Sequence, residues 1–299
     1  MKKTLALSSL AITLLLISFT KGKQPSLKSS MKALNAFCNF VPSGNALVDG
    51  DTVSVNSFYM SAAEITNVQY QEFVYSLAKS NNNEKLAIAR IDSLQWGRLI
   101  KSLSGEKYGE HYHKHSAYQL YPVVNVSKEG AELFCEWLTS RYDSLSNGEL
   151  KLKFRIPTRA EWIRAVRGDH HEYTYSWKGP YLKNSKGMAL ANFVRLGERN
   201  ITRNSESGEF EVRIIDLDNS TDDNSPDVTA PVKSYWPNEY GFYNMNGNVS
   251  EMIADGEYAV GGDWHAPGYD VRNESVKVFS EAHPTVGFRV VATYSKREK

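Results

Sequence analysis

Several absences narrow the reading. Cysteine is scarce, with only Cys38 and Cys135 in 299 residues. Neither follows the apolar run at the N-terminus, so the acylation site of a bacterial lipoprotein is missing. An exported chain could pair the two thiols, but the sequence does not say whether they lie close enough. An excess of either charge is also lacking: 35 Lys and Arg stand against 34 Asp and Glu. Phosphate binding needs a concentrated positive field, so nucleic acid is not expected as the main partner. No repeat of fixed period occurs.

Long hydrophobic runs are absent apart from one. Lys2 and Lys3 precede an apolar stretch from Leu5 to Ile17, followed by Ser18, Thr20 and Gly22. That stretch is short for a spanning helix and has the layout of a signal peptide over residues 1–22. The expectation is export to the periplasm, the cell envelope or the medium, with no integral membrane segment once the signal is removed. Residues 23–39 read as a polar, basic linker, 40–295 as one globular domain, and 296–299 as a polar tail.

Inside the domain, alternation from Leu47 to Met60 with turns at Ser43-Gly44 and Asp49-Gly50 predicts a hairpin. Thr66 and Gln69 form a capping-box pair before an apolar face of Tyr70, Phe73, Val74 and Leu77. Residues 80–119 look irregular. Ser127 caps a second helix with Ala131, Phe134, Cys135 and Leu138 on one face. Thr158 and Glu161 form another capping box, with Trp162, Ala165 and Val166 following. Residues 199–227 read as a long surface insertion. Few long elements and many loops indicate an irregular α+β fold whose loops carry function. Trp162, Trp177, Trp236 and Trp264 are expected to fill its core.

Five segments, in order, resemble the formylglycine-generating enzymes, or sulfatase-modifying factors. They are Glu64-Ile65-Thr66-Asn67 with Tyr70 and Phe73; Tyr121-Pro122-Val123-Val124-Asn125-Val126; and Arg155-Ile156-Pro157-Thr158 through Trp162 to Arg167-Gly168. Then come Thr229-Ala230-Pro231-Val232 with Gly241-Phe242-Tyr243-Asn244-Met245 and Gly247-Asn248-Val249-Ser250-Glu251, and finally Gly261-Gly262-Asp263-Trp264 with Gly287-Phe288-Arg289. The resemblance implies the loop-rich family fold, a variant of the C-type lectin fold.

The family oxidises a substrate cysteine at a copper ion held by two thiolates, ligands that suit soft Cu(I). Where the resemblance puts those thiols, this chain has Ala266 and Val271. Copper is therefore not expected, nor is oxidase activity. The resemblance implies calcium at Asn248, Val249 and Glu251, oxygen donors that suit the ion; the alternative is that Asn248 shapes a turn and Glu251 makes a surface pair. A second calcium site would start at Asn192 and Phe193, with Asp223 or Asp227 as partner. His111, His113 and His115 would share a face on a strand, but their irregular, polar setting argues against a metal site. Asp263, Trp264, His265 and Arg272 are the pocket candidates.

The leading expectation is a non-catalytic family member with a scaffolding or binding role and a protein partner. It resembles, loosely, the gliding-motility and type IX secretion relatives of the Bacteroidetes. The alternatives are an enzyme of changed, oxidoreductase-like chemistry at Asp263, His265 and Arg272, or a carbohydrate- or protein-binding module by analogy with lectins.

Overall fold

A computed structural model describes residues 27–194, 201–203, 210–212 and 228–294. The signal-like segment, the start of the linker, Asp223, Asp227, the tail and most of the 199–227 insertion lie outside the described residues.

The chain begins with helix α1 (Leu27–Phe37) and strand β1 (Cys38–Val41). This corrects the linker reading of residues 23–39 over its described part. Leu27, Met31 and Leu34 recur at helical spacing, and Leu34 is sealed into the core with Met31 packed against it. Cys38 is thus part of the domain.

Next come β2 (Gly44–Val48), β3 (Asp51–Val55) and β4 (Phe58–Ser61). β2 and β3 form a hairpin over residues 44–55 rather than 47–60, around the expected turn at Asp49 and Gly50, which take positive φ, 52° and 94°. β4 leaves that hairpin for the main sheet. Helix α2 (Asn67–Lys79) starts at the Thr66 capping box: Thr66 Oγ1 accepts from Gln69 N–H, and Gln69 Oε1 accepts from Thr66 N–H at 2.9 Å. The irregular region holds three short helices, α3 (Asn83–Ile88), α4 (Gln95–Leu99) and α5 (Leu103–His111). Helix α6 (Lys128–Leu145) is capped by Ser127, and β5 (Leu152–Arg155) leads to α7 (Arg159–Arg167) with its Thr158–Glu161 box.

β6 (Ile201–Arg203) and β7 (Phe210–Val212) pair within the insertion. β8 (Ser250–Met252), β9 (Tyr258–Val260), β10 (Val276–Val278), β11 (Val286–Gly287) and β12 (Val291–Tyr294) complete the chain.

The main sheet runs β1-β4-β12-β5, with every pair antiparallel. Period-two alternation gives it two buried faces. Tyr59 and Ala292 face a core built from α1, α2 and α6, where Tyr70, Phe73, Phe134 and Phe288 interlock edge to face or stacked. Phe58, Met60 and Val291 face Trp162 and Val166 of α7. A second sheet, β10-β9-β8-β11, is smaller. Trp162, Trp264 and Trp96 are core residues, whereas Trp236 is 58% exposed and so does not fill the core. Cys38 and Cys135 are buried free thiols. Among the described residues, no helix is long and apolar enough to cross a membrane.

Candidate functional site

The small sheet ends in a double glycine. Gly261 and Gly262 take φ of 87° and 69°. A Cβ on Gly261 would sit 2.6 Å from the Met245 carbonyl oxygen, and one on Gly262 would sit 2.5 Å from that of Asp270. Only glycine permits this crowding and handedness together. The following segment folds back beside β10 and lines a cleft of about 500 Å³, walled by Ser250, Asp263, His265, Ala266, Tyr269, Arg272 and Lys277.

Asp263 lies at the buried base of a polar network. Its Oδ2 accepts from Ser250 Oγ at 2.9 Å and from Lys277 Nζ at 2.8 Å, and its Oδ1 accepts from the His265 backbone N–H at 3.0 Å. Lys277 Nζ also donates to Thr285 Oγ1, which lies 2.8 Å from His283 Nδ1. The carboxylate is thus paired with a cation and accepts from three donors. Burial holds the His265 imidazole below its usual range, with Lys277 adding to that and Asp263 opposing it. Burial, then Lys277, does the same to His283. Both rings are therefore neutral at physiological pH.

The expected pocket residues are brought together only in part. His265 reaches Asp263 through its backbone, while its ring packs against Trp264, 5.4 Å between centroids. Trp264 is buried, donates Nε1–H to the Pro284 carbonyl and stacks on Trp96. Arg272 turns the other way: its guanidinium lies 3.6 Å from the Tyr269 ring centroid, and its Nε donates to the Tyr269 carbonyl. The cation that serves Asp263 is Lys277, which sequence reasoning missed along with Ser250, Thr285 and His283. The Val-Lys-Val alternation of β10 points Lys277 outward, whereas the structure exposes Val276 and Val278 and turns the lysine onto Asp263.

Ala266 and Val271 fill the places expected of thiols. Val271 is fully buried in a cluster with Tyr175, Ala191 and Phe193, and Ala266 packs against that cluster. Neither offers a donor to copper, and Cys38 and Cys135 lie in the helical core, outside the cleft lining.

The calcium expectation meets different chemistry. Asn248 has φ 66° and is buried, so it does shape a turn. Its Oδ1 accepts from Ala230 N–H at 2.7 Å and Asn192 Nδ2 at 3.3 Å; its Nδ2 donates to Glu64. Glu251 makes a pair, but deep in the core: Arg289 and Trp162 Nε1 take its two oxygens. Asn192 also donates Nδ2–H to the Val228 carbonyl, and its own carbonyl accepts from Asn248 N–H; Phe193 packs beside Val271. Calcium held by Asn248 and Glu251 does not fit this donor arrangement, because protein donors already occupy those oxygens. Among the described residues, the buried Asn244 Oδ1 has no hydrogen-bond partner.

His111 ends α5, and His115 accepts from Ala117 N–H with its ring nitrogen. His113 is buried against Asn67 Oδ1 at 3.0 Å. They lie on a helix end and a turn rather than a strand: the His111 and His115 rings meet edge to face, 6.3 Å between centroids, while His113 is buried. Among the described residues, no three His, Cys, Asp or Glu side chains come together in a metal-ligating group.

Comparison with known proteins agrees with this architecture. The formylglycine-generating enzyme of Mus musculus is 26% identical over 228 residues, which cover 68% of this chain and 50% of that protein. The inactive C-alpha-formylglycine-generating enzyme 2 of Bos taurus is 27% identical over 135 residues, 45% of this chain and 33% of that one. The chain spans about half the length of the first curated relatives it matches. Among solved structures, that of CarF superposes with a TM-score of 0.52 at 19% identity, covering 85% of this chain and 97% of its own, a likeness of fold. The model of the sulfatase-modifying factor enzyme 1-like domain matches residues 31–294, and it is to this family that the chain belongs.

Proposed function

We propose that this chain is a non-catalytic member of its family that works by binding a partner at the cleft beside β10. The observation that carries this is the replacement of both expected thiols by hydrocarbon, with Val271 sealed into a packed cluster. Cu(I) has no soft ligand there. At the base of the cleft Asp263 is committed to an ion pair with Lys277, beside the His265 imidazole. The inactive bovine relative lends support. A scaffolding role in the cell envelope, akin to that of motility and secretion relatives, is part of this proposal and rests on the sequence resemblance.

Tyr269, 68% exposed and stacked with Arg272, is the binding contact this reading favours. Two measurements test it. A sulfatase-type cysteine peptide incubated with the protein, copper and oxygen should show no thiol-to-aldehyde mass change, beside an active family member as control. Cross-linking in the source organism should yield an adduct that Tyr269→Ala removes. Aldehyde formation would overturn the reading, and so would an adduct pattern indifferent to Tyr269.

A further inference from the structure

The face of the main sheet that α1 and α6 cover is left open at one end. There Phe40 of β1, Tyr59 of β4 and Tyr294 of β12 stand on three adjacent strands. Their rings meet edge to face, with centroids 5.3 Å apart from Phe40 to Tyr59 and 6.4 Å from Tyr59 to Tyr294. Phe40 is 52% exposed and Tyr294 59%. The row continues onto α1, where the Tyr294 hydroxyl lies 3.9 Å from the Met31 sulfur. Leu27, one turn before Met31, is 44% exposed. None of these residues lines the cleft beside β10.

Positive charge borders the row. Lys28 and Lys32 are exposed. At the helical repeat they fall about 60° and 100° round the axis from Met31, on the flank turned away from the core. Among the described residues neither has an ion-pair partner. The whole chain is nearly neutral, yet residues 23–48 hold three lysines and no acid, Asp49 being the first carboxylate. The loop after α6 is tied to α1 by the Ser30 hydroxyl, which donates to the Leu145 carbonyl at 3.1 Å. It carries Asp143, matched by Lys151 at 3.7 Å, and Glu149.

A contiguous exposed apolar row marks a contact surface. Aromatic rings settle at the level of lipid headgroups, and lysines beside them gain from an anionic leaflet. We propose that this face docks on an anionic lipid surface, with Leu27, Phe40 and Tyr294 entering the headgroup layer and Lys28 and Lys32 over the phosphates. The charge decides between a bilayer and a second copy of the chain. Two copies meeting through this face would bring four unpaired lysines together, which repel, whereas acidic headgroups complement them.

Vesicles of phosphatidylserine in phosphatidylcholine, and of phosphatidylcholine alone, are the probes. The full chain should sediment with the anionic vesicles in preference to the neutral ones, and less so as salt rises. Lys28→Gln with Lys32→Gln should weaken the anionic binding by about tenfold or more, and so should Phe40→Ser with Tyr294→Ser. The apolar run from Leu5 to Ile17 is common to every variant, so these comparisons read the folded face. Placement is read with an environment-sensitive dye: on Phe40→Cys its emission should shift to the blue with anionic vesicles, and on Val278→Cys, exposed on the small sheet, it should not. Equal binding to the two vesicles, anionic binding indifferent to either pair of substitutions, or equal dye responses at the two positions would each overturn the proposal. So would a dimer in solution that Phe40→Ser with Tyr294→Ser dissociates.

Discussion

The Glu251 carboxylate meets the Arg289 guanidinium in the interior, Nε to Oε2 at 2.6 Å, with both side chains shut off from solvent. The pair ties β8 of the small sheet to the strand-to-strand link ahead of β12 in the main one. Arg289 also donates to the carbonyls of Ser61 and Tyr243, and Trp162 Nε1 donates to Glu251 at 2.7 Å. Removing one member of such a pair leaves the other buried and uncompensated. Glu251→Gln should cost about 3–5 kcal/mol. Chemical denaturation would show it, and the loss should be present in chelator as well as in calcium.

Asn248→Ala separates turn shaping from metal binding. Its Oδ1 holds the Ala230 N–H, and the alanine would leave that donor buried and unpaired. A loss of about 1–3 kcal/mol is expected, the same with calcium and with chelator. A loss confined to the calcium arm would restore Asn248 as a ligand.

Glu64 gives stability a definite pH dependence. Burial pushes its carboxyl up from an ordinary 4.5 to about 8. Between those values the folded state keeps a proton that the unfolded state has released, so stability falls as pH rises. His113 acts oppositely: burial lowers it from 6.5 to about 3, so its contribution is lost as pH falls from 6.5 toward 3. The two oppose each other from pH 4.5 to 6.5. From pH 6.5 to 8 Glu64 acts without His113, and wild type should lose about 1.4 kcal/mol per pH unit relative to Glu64→Gln. Parallel pH profiles for the two proteins would refute this.

Asp263 and Lys277 should show coupling. Asp263 is buried while Lys277 reaches solvent, so the pair is only half desolvated. A double-mutant cycle with Asp263→Asn and Lys277→Met should give an interaction energy of about 1–3 kcal/mol. Additive effects would show that the ion pair contributes nothing to the cleft.

The sequence spoke clearly where chemistry was local. Both capping boxes, the Asp49-Gly50 turn and the crowded Gly261-Gly262 step depend on residues within a few positions of each other, and all are present. The helix over 27–37 was hidden because its basic, polar outer face resembles a linker; only the long-range burial of Leu34 reveals its inner one. The cleft's polarity was equally hidden. Ser250, Asp263, Lys277, Thr285 and His283 come from two strands and two loops, and no spacing rule connects them. Glu251 and Asn248 stand out in the sequence as calcium ligands, with a surface pair and a turn as the alternative; both are buried, and their partners Arg289 and Ala230 lie 38 and 18 positions away.

The order β1-β4-β12-β5 places the last strand between the first and middle portions of the chain. During synthesis, β4 and β5 cannot be joined until residues 291–294 have left the ribosome. Until then, Met60, Phe154 and their neighbours lack the strand that pairs with both. Non-local closure of this kind is slow and leaves apolar strand edges open to wrong pairings. A nascent chain stalled short of β12 should therefore be a substrate for chaperones and proteases, whatever its first 290 residues have already formed.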